Sequence, residues 1–154
     1  MAIKVGVVGY GTIGKRVADA VKLQKDMKLV GVTAHSFNYR MLSAHELKIP
    51  MYAIDTENDL KSHGINPAGT FADLVEESDV IVDCTPSKVG KENKDKYYAP
   101  KKVKVIFQGG EKPEIADCSF VAQCNYNEAV GKNFVRVVSC NTTGLTKFFP
   151  TASL

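Results

Sequence analysis

Ile3-Lys4-Val5-Gly6-Val7-Val8-Gly9-Tyr10-Gly11-Thr12-Ile13-Gly14 is the stretch on which the reading of this chain turns. Its first half is a short β-branched run of the kind that forms a buried strand. Its second half fits G-x-G-x-x-G. Beyond it Ile13, Val17, Ala20 and Val21 recur at helical spacing on one face. A glycine triplet alone is a weak signal, and three glycines can simply make a strand-to-helix turn. Placed after a strand and opening a helix, the triplet reads as a dinucleotide-binding loop. Gly9 permits the tight turn, Gly11 lets the backbone approach a pyrophosphate, and Gly14 allows close helix–strand packing. The helix N-terminus favours the anion. Thr12 and Ile13 stand at the same place.

Outward from this loop, strand and helix patterns alternate. Leu29–Thr33 reads as a second strand, 40–45 as a short helix and 50–54 as a short strand. Thr70 with Asp73 forms the S/T-x-x-D/E cap of a helix through Val75. Asp79–Cys84 is a near-continuous apolar strand, suited to a parallel sheet covered on both faces. A charged helix over about 90–98 ends before Pro100. Val103–Phe107, Ser119–Val121 and Phe134–Val138 are the remaining strands. The expected fold class is α/β: a Rossmann-type, doubly wound, mostly parallel sheet with helices on both faces.

At 154 residues the chain has the length of one domain. Its 44% hydrophobic and 24% charged residues are ordinary for a globular protein. The net charge of +3 comes from scattered lysines with no basic stripe interleaved with aromatics, so nucleic acid is not an expected partner. No apolar run is long enough to span a bilayer, and the N-terminus has no signal-peptide pattern. A cytoplasmic location without membrane attachment is expected. Cys84, Cys118, Cys124 and Cys140 contain no C-x-x-C pair, so neither a zinc site nor a disulfide framework is expected, and no metal. Cys118 and Cys124 read as small core residues.

Three further places carry chemistry. A carboxylate about 20 residues past the glycine loop would select NAD through its ribose 2′-hydroxyl. Here the second strand ends in Thr33, then Ala34, His35 and Ser36, with no acid, while Arg40 is placed to meet a 2′-phosphate. The pair Thr33 and Arg40 therefore leans towards NADP, with NAD or dual use as the alternative. His35 and His45 read as exposed loop residues. Thr85-Pro86-Ser87 and Gln108-Gly109-Gly110 follow strands at the carboxyl edge, where ligands of open α/β sheets bind. Thr85, Gly109 and Gly110 are thus candidates for the ribose or nicotinamide. Finally, Ser139 reads as an N-cap that places Cys140 in the first turn of a helix. There the dipole and free N–H groups favour a thiolate and form part of an oxyanion site.

The glycine loop with its continuation Gly14-Lys15-Arg16-Val17-Ala18-Asp19-Ala20-Val21, the segment Phe107-Gln108-Gly109-Gly110-Glu111-Lys112, and Val137-Val138-Ser139-Cys140-Asn141-Thr142-Thr143-Gly144-Leu145 together resemble the archaeal type of phosphorylating glyceraldehyde-3-phosphate dehydrogenase. The resemblance runs to Leu145. It implies that Cys140 attacks the aldehyde of glyceraldehyde 3-phosphate to give a hemithioacetal. Hydride transfer to the nicotinamide then leaves a thioester, which inorganic phosphate cleaves to the acyl phosphate. It places Thr12 and Ile13 at the dinucleotide, Gly110 at the nicotinamide end, and Ser139 and Asn141 beside the substrate. It also implies a homotetramer.

Family members continue past the cysteine into a catalytic domain that supplies a histidine base and phosphate-binding residues. Here His35, His45 and His63 all precede Cys140, and the tail 146–154 does not match the family's continuation. The expected organisation is a dinucleotide-binding domain over 1–139, followed at 140–154 by the start of a catalytic domain that is truncated or absent. The chain alone is expected to be inactive, to expose an apolar face and to self-associate. Two alternatives stand beside this reading. One is a non-catalytic nucleotide-binding or redox-sensing module. The other is a related semialdehyde dehydrogenase, against which the Gln108–Glu111 match argues.

Overall fold

The computed structural model describes residues 1–148, without the side chains of Ala34, Lys147 and Phe148. The expectation for the rest of the tail lies outside the described residues. In chain order the elements are β1 (Ile3–Val8), α1 (Thr12–Lys22), β2 (Met27–Ala34), α2 (Tyr39–Glu46), β3 (Met51–Ala53), α3 (Glu57–Ser62), β4 (Gly69–Thr70), α4 (Phe71–Glu77) and β5 (Val80–Asp83). There follow α5 (Val89–Asn93), a π-helical turn (Lys94–Tyr98), α6 (Ala99–Lys101), β6 (Lys104–Phe107), a 3₁₀ turn (Pro113–Ile115), β7 (Cys118–Phe120), α7 (Ala122–Ala129), β8 (Phe134–Val137) and α8 (Cys140–Phe148).

The strands form one sheet in the order β4-β3-β2-β1-β5-β6-β8-β7. Every pairing among the described strands is parallel, so the "mostly parallel" sheet of the sequence reading is parallel throughout. The order runs outward from β1 in both directions. The crevice between β1 and β5 is therefore the topological switch point, where ligands of such sheets bind. Consecutive residues of β1 face opposite sides of the sheet. Val7 is fully buried with Val32, Met41, Ala44 and Leu60 on the side of α2 and α3. Val8 is fully buried with Phe71, Leu74, Tyr98 and Phe107 on the other side. Covering both faces is what allows a strand such as Val80–Asp83 to be apolar along its length.

Three details correct the sequence reading. The helix after β5 does not stop before Pro100 but runs on to Lys101 through the π turn. Pro100 falls in the first turn of the new α-helical segment, where its missing N–H costs little. The short elements Glu57–Ser62 and Gly69–Thr70 are absent from the sequence reading, because fewer than two helical turns and a two-residue strand have too few positions to show a period. Cys124 is exposed rather than a core residue, since α7 flanks the sheet edge and buries none of its residues. Thr70 does cap α4, with its hydroxyl accepting from the Asp73 N–H and the Asp73 carboxylate accepting in turn from the Thr70 N–H. An open apolar groove of about 250 Å³ lies at the β6-β8-β7 end, lined by Ile106, Phe120, Tyr126, Val130 and Val137.

Candidate functional site: the crevice at the carboxyl edge

The glycine loop leaves β1 with Gly9 in the left-handed region (φ 87°), which only glycine adopts without strain. The N–H groups of Gly9 and Tyr10 both bond the Thr33 carbonyl, at 3.1 and 2.7 Å. Thr33, completely buried at the end of β2, thus braces the turn from below. Gly11 has no protein atom within 4 Å of where a Cβ would sit. It is the N-terminal cap of α1, whose first turn holds no acidic residue. Gly14 differs: a Cβ there would collide with the Gly9 carbonyl oxygen, so the helix packs against the loop only because Gly14 lacks one. The three glycines have the three roles that the spacing predicts.

The neighbouring loop, after β5, is held just as tightly. A Cβ on Gly9 would touch the backbone of Cys84 and Thr85 at 3.0–3.1 Å, and one on Gly109 would overlap the Thr85 carbonyl. The Cys84–Thr85 backbone is sandwiched between these two glycines. Gly9, Tyr10, Gly11, Thr33, His35 and Asn38 face Cys84, Thr85, Pro86, Val89 and Asn93 across a cleft of about 280 Å³. The open space over Gly11, the N-terminus of α1 and the cleft beside it fit an extended dinucleotide.

Of the sequence candidates, Gly9, Gly11, Thr33 and Thr85 line this cleft, and Thr12, Ile13 and Gly14 form the adjoining first turn of α1. Arg40 reaches back from α2, its Nη2 donating to the Thr12 hydroxyl at 3.0 Å. Gly109 packs behind the cleft, and Gly110 follows it with φ 81°. His35 is an exposed loop residue, as expected, and also lines the cleft, whereas His45 is exposed on α2 rather than in a loop. His63 stacks on Phe37 with ring centroids 3.7 Å apart.

Ser139 caps α8 as expected. Its hydroxyl accepts from the Thr142 N–H at 3.2 Å, and its carbonyl accepts from the Thr143 N–H at 2.8 Å. Cys140 is exposed at the start of the helix, its Sγ 3.9 Å from the Asn141 side-chain oxygen. It shares the carboxyl edge of the sheet with the cleft but follows β8, with β6 and β5 between it and β1. The three histidines lie on the β2–β3 side, beyond β1. Among the described residues no cluster of side chains could hold a metal ion, and no helix is long and apolar enough to cross a membrane.

Sequence reasoning missed Asp83, the last residue of β5 and only 1% exposed. Its Oδ1 accepts from the Thr85 N–H (2.9 Å) and the Thr85 hydroxyl, and its Oδ2 from Tyr98 Oη (2.6 Å) and Asn93 Nδ2 (3.1 Å). An acid ending an apolar strand was the available signal.

Burial, with the Asp83 charge adding to it, pushes the Cys84 thiol up to about 12. Burial and the hydrogen bond to Glu77 push the Tyr52 phenol up to about 12 as well. Both groups hold their protons more tightly folded than unfolded. Between about pH 8.5, where a free thiol ionises, and pH 12 the folded chain binds more protons, so its stability falls as pH rises. The urea midpoint is expected to be steady below about pH 8 and to decline through pH 11. A midpoint constant to pH 11 contradicts this.

Comparison with known proteins follows the same division of the chain. The family described as "Dihydrodipicolinate reductase, N-terminus" matches residues 3–123. That match covers the cleft and ends before Cys140. The glyceraldehyde-3-phosphate dehydrogenase of Pyrobaculum islandicum is 53% identical over 146 residues, which are 94% of this chain and 42% of that protein. The enzymes of the same name from Archaeoglobus fulgidus and Thermococcus kodakarensis are 53% and 54% identical over 149 residues, 96% of this chain and 44% of theirs. The chain therefore spans less than half the length of these relatives. Among solved structures, an NAD-binding protein from Listeria innocua superposes with a TM-score of 0.55 at 15% identity, over 92% of this chain and 36% of that one. GenD2 from gentamicin A biosynthesis, in complex with NAD, gives 0.53 at 14% over 70% of this chain and 26% of that one. At such identities the likeness is one of fold.

Proposed function

From a chain that belongs to the dihydrodipicolinate reductase N-terminal family, and that matches archaeal glyceraldehyde-3-phosphate dehydrogenases over nearly its whole length, we propose the cofactor-binding portion of an NADP-preferring phosphorylating glyceraldehyde-3-phosphate dehydrogenase. The observation that carries this reading is the open space over Gly11 at the start of α1, set between walls that close contacts hold rigid. Gly9, Gly11, Thr12, Ile13 and Gly14 would hold the pyrophosphate. Thr85, Gly109 and Gly110 belong to the nicotinamide half, because they lie on the β5–β6 side of the loop. When bound, the nicotinamide accepts a hydride.

Residues 1–139 are the dinucleotide-binding domain in this reading, and 140–154 begin the catalytic part. Cys140 supplies the sulfur that bonds the aldehyde carbon of glyceraldehyde 3-phosphate, and Ser139 and Asn141 flank it. Among the described residues no histidine lies on the Cys140 side of the sheet, so the histidine base that this mechanism uses is not among them. Turnover by these residues alone is expected to be negligible.

The preference for NADP rests on Arg40. The end of β2 offers the buried Thr33 and no carboxylate, and Arg40 approaches the same corner through Thr12. Calorimetric titration is expected to show saturable binding of both nucleotides, NADP the tighter. Arg40→Ala removes a charge-assisted contact to phosphate and is expected to weaken NADP about tenfold while changing NAD by less than about threefold. Equal losses for the two nucleotides would remove Arg40 from the 2′-phosphate. Failure of the unmodified chain to bind either would end the cofactor reading.

A further inference from the structure

We infer that Asp83 is a positioning residue for the nicotinamide half of the cofactor, acting through Thr85 and Asn93, which line the cleft above it. The inference rests on the cofactor reading and adds a residue that does not touch the ligand. A carboxylate 1% exposed is costly to bury unless its oxygens are hydrogen-bonded, and here four donors surround it. They come from two elements. Thr85 supplies its N–H and hydroxyl from the loop after β5, and Asn93 and Tyr98 come from the helix that follows.

The helix reaches Asp83 with both side chains only because of its π turn. In a regular α-helix residues five apart lie roughly 140° from each other around the axis. Asn93 and Tyr98 are five apart, yet both bond Oδ2 of Asp83. The i→i+5 pattern over Lys94–Tyr98 widens the turn and brings position 98 back beneath position 93. Asn93, a lining residue of the cleft, thereby has an amide donor committed to Asp83. The backbone of Thr85, pinched between Gly9 and Gly109, is pinned from below by the same carboxylate. Donors held in this way lose little freedom on binding, which is how a buried anchor raises affinity without contact.

The placement predicts a split between the two halves of the ligand. With the pyrophosphate on the β1 loop, the adenosine half lies over β2 and Arg40, and the nicotinamide half over β5. Asp83→Asn keeps the shape but puts an amide donor where only acceptors fit. NADP binding should weaken about tenfold, while adenosine 2′,5′-bisphosphate, which lacks the nicotinamide half, stays within about twofold. Tyr98→Phe is the second variant. Tyr98 is fully buried and outside the cleft, so the loss of its hydroxyl acts from beneath, through the network it shares with Asp83 and Asn93. NADP should weaken about threefold there, again with the bisphosphate unchanged. An undiminished NADP affinity in Asp83→Asn, or a parallel loss of both ligands in Tyr98→Phe, overturns the inference alone. Absence of NADP binding by the unmodified chain overturns the cofactor reading and this inference with it.

Discussion

Gly11→Val is expected to fold as the parent chain does and to lose NADP binding by at least about 100-fold, a penalty of about 2.7 kcal/mol or more. The expectation follows from two properties of Gly11. Its backbone is extended with a negative φ (φ −87°, ψ −156°), so an added side chain meets no left-handed strain. The direction of its absent Cβ leads into open space, with no protein atom within 4 Å. Added carbons therefore meet nothing of the protein's own, and the stability change should stay within about 1 kcal/mol. They fill the approach to the first N–H groups of α1, which is the space a pyrophosphate needs. Calorimetric titration beside a urea melt separates the two effects. A variant that binds like the parent would mean that the phosphates do not lie on this loop.

Gly109→Ala has the opposite profile: a fold destabilised by about 3 kcal/mol, near the upper end for overpacking. A Cβ at 109 would lie inside the contact distance of the Thr85 carbonyl oxygen, and Thr85 has nowhere to retreat. On its far side the Cys84–Thr85 backbone presses on Gly9, and beneath it the Asp83 carboxylate holds the Thr85 N–H and hydroxyl. For a chain of this size the loss corresponds to a drop of roughly 10 °C in melting temperature. Thermal or urea unfolding reads it directly. A change below about 1 kcal/mol would show that the β5 and β6 loops move apart freely. That freedom would also undo the rigid wall on which the nicotinamide side of the site depends. Gly11 and Gly109 are alike in the sequence, yet one keeps space for a ligand and the other keeps the protein's own loops in contact.

Much of this was legible in the residues. The alternation of β-branched runs with helical spacing gave the sheet and its covered faces, since burial on both sides of a strand leaves a compositional trace. Gly9, Gly11 and Gly14 announced their roles because the turn, the approach and the packing each exclude a side chain at a fixed offset from a strand end. The Thr70–Asp73 cap and the Ser139 cap were readable for a similar reason, as the bonds join residues three apart. The similarity around Cys140 was equally local, and the archaeal relatives bear out the family it pointed to.

What only the tertiary structure decided involves residues far apart in the chain. Nothing in Asp83 itself shows that Tyr98 and Asn93 will converge on it, because that convergence needs a π turn, and a π turn has no sequence period of its own. Nothing in Gly109 shows that it closes on Thr85, because β5 and β6 must first be neighbours. The strand order also set how far Cys140 stands from the cleft, and left the three histidines beyond β1. Short-range physics is written in adjacent residues, whereas the walls of this site are made by strands that meet only after the sheet has formed.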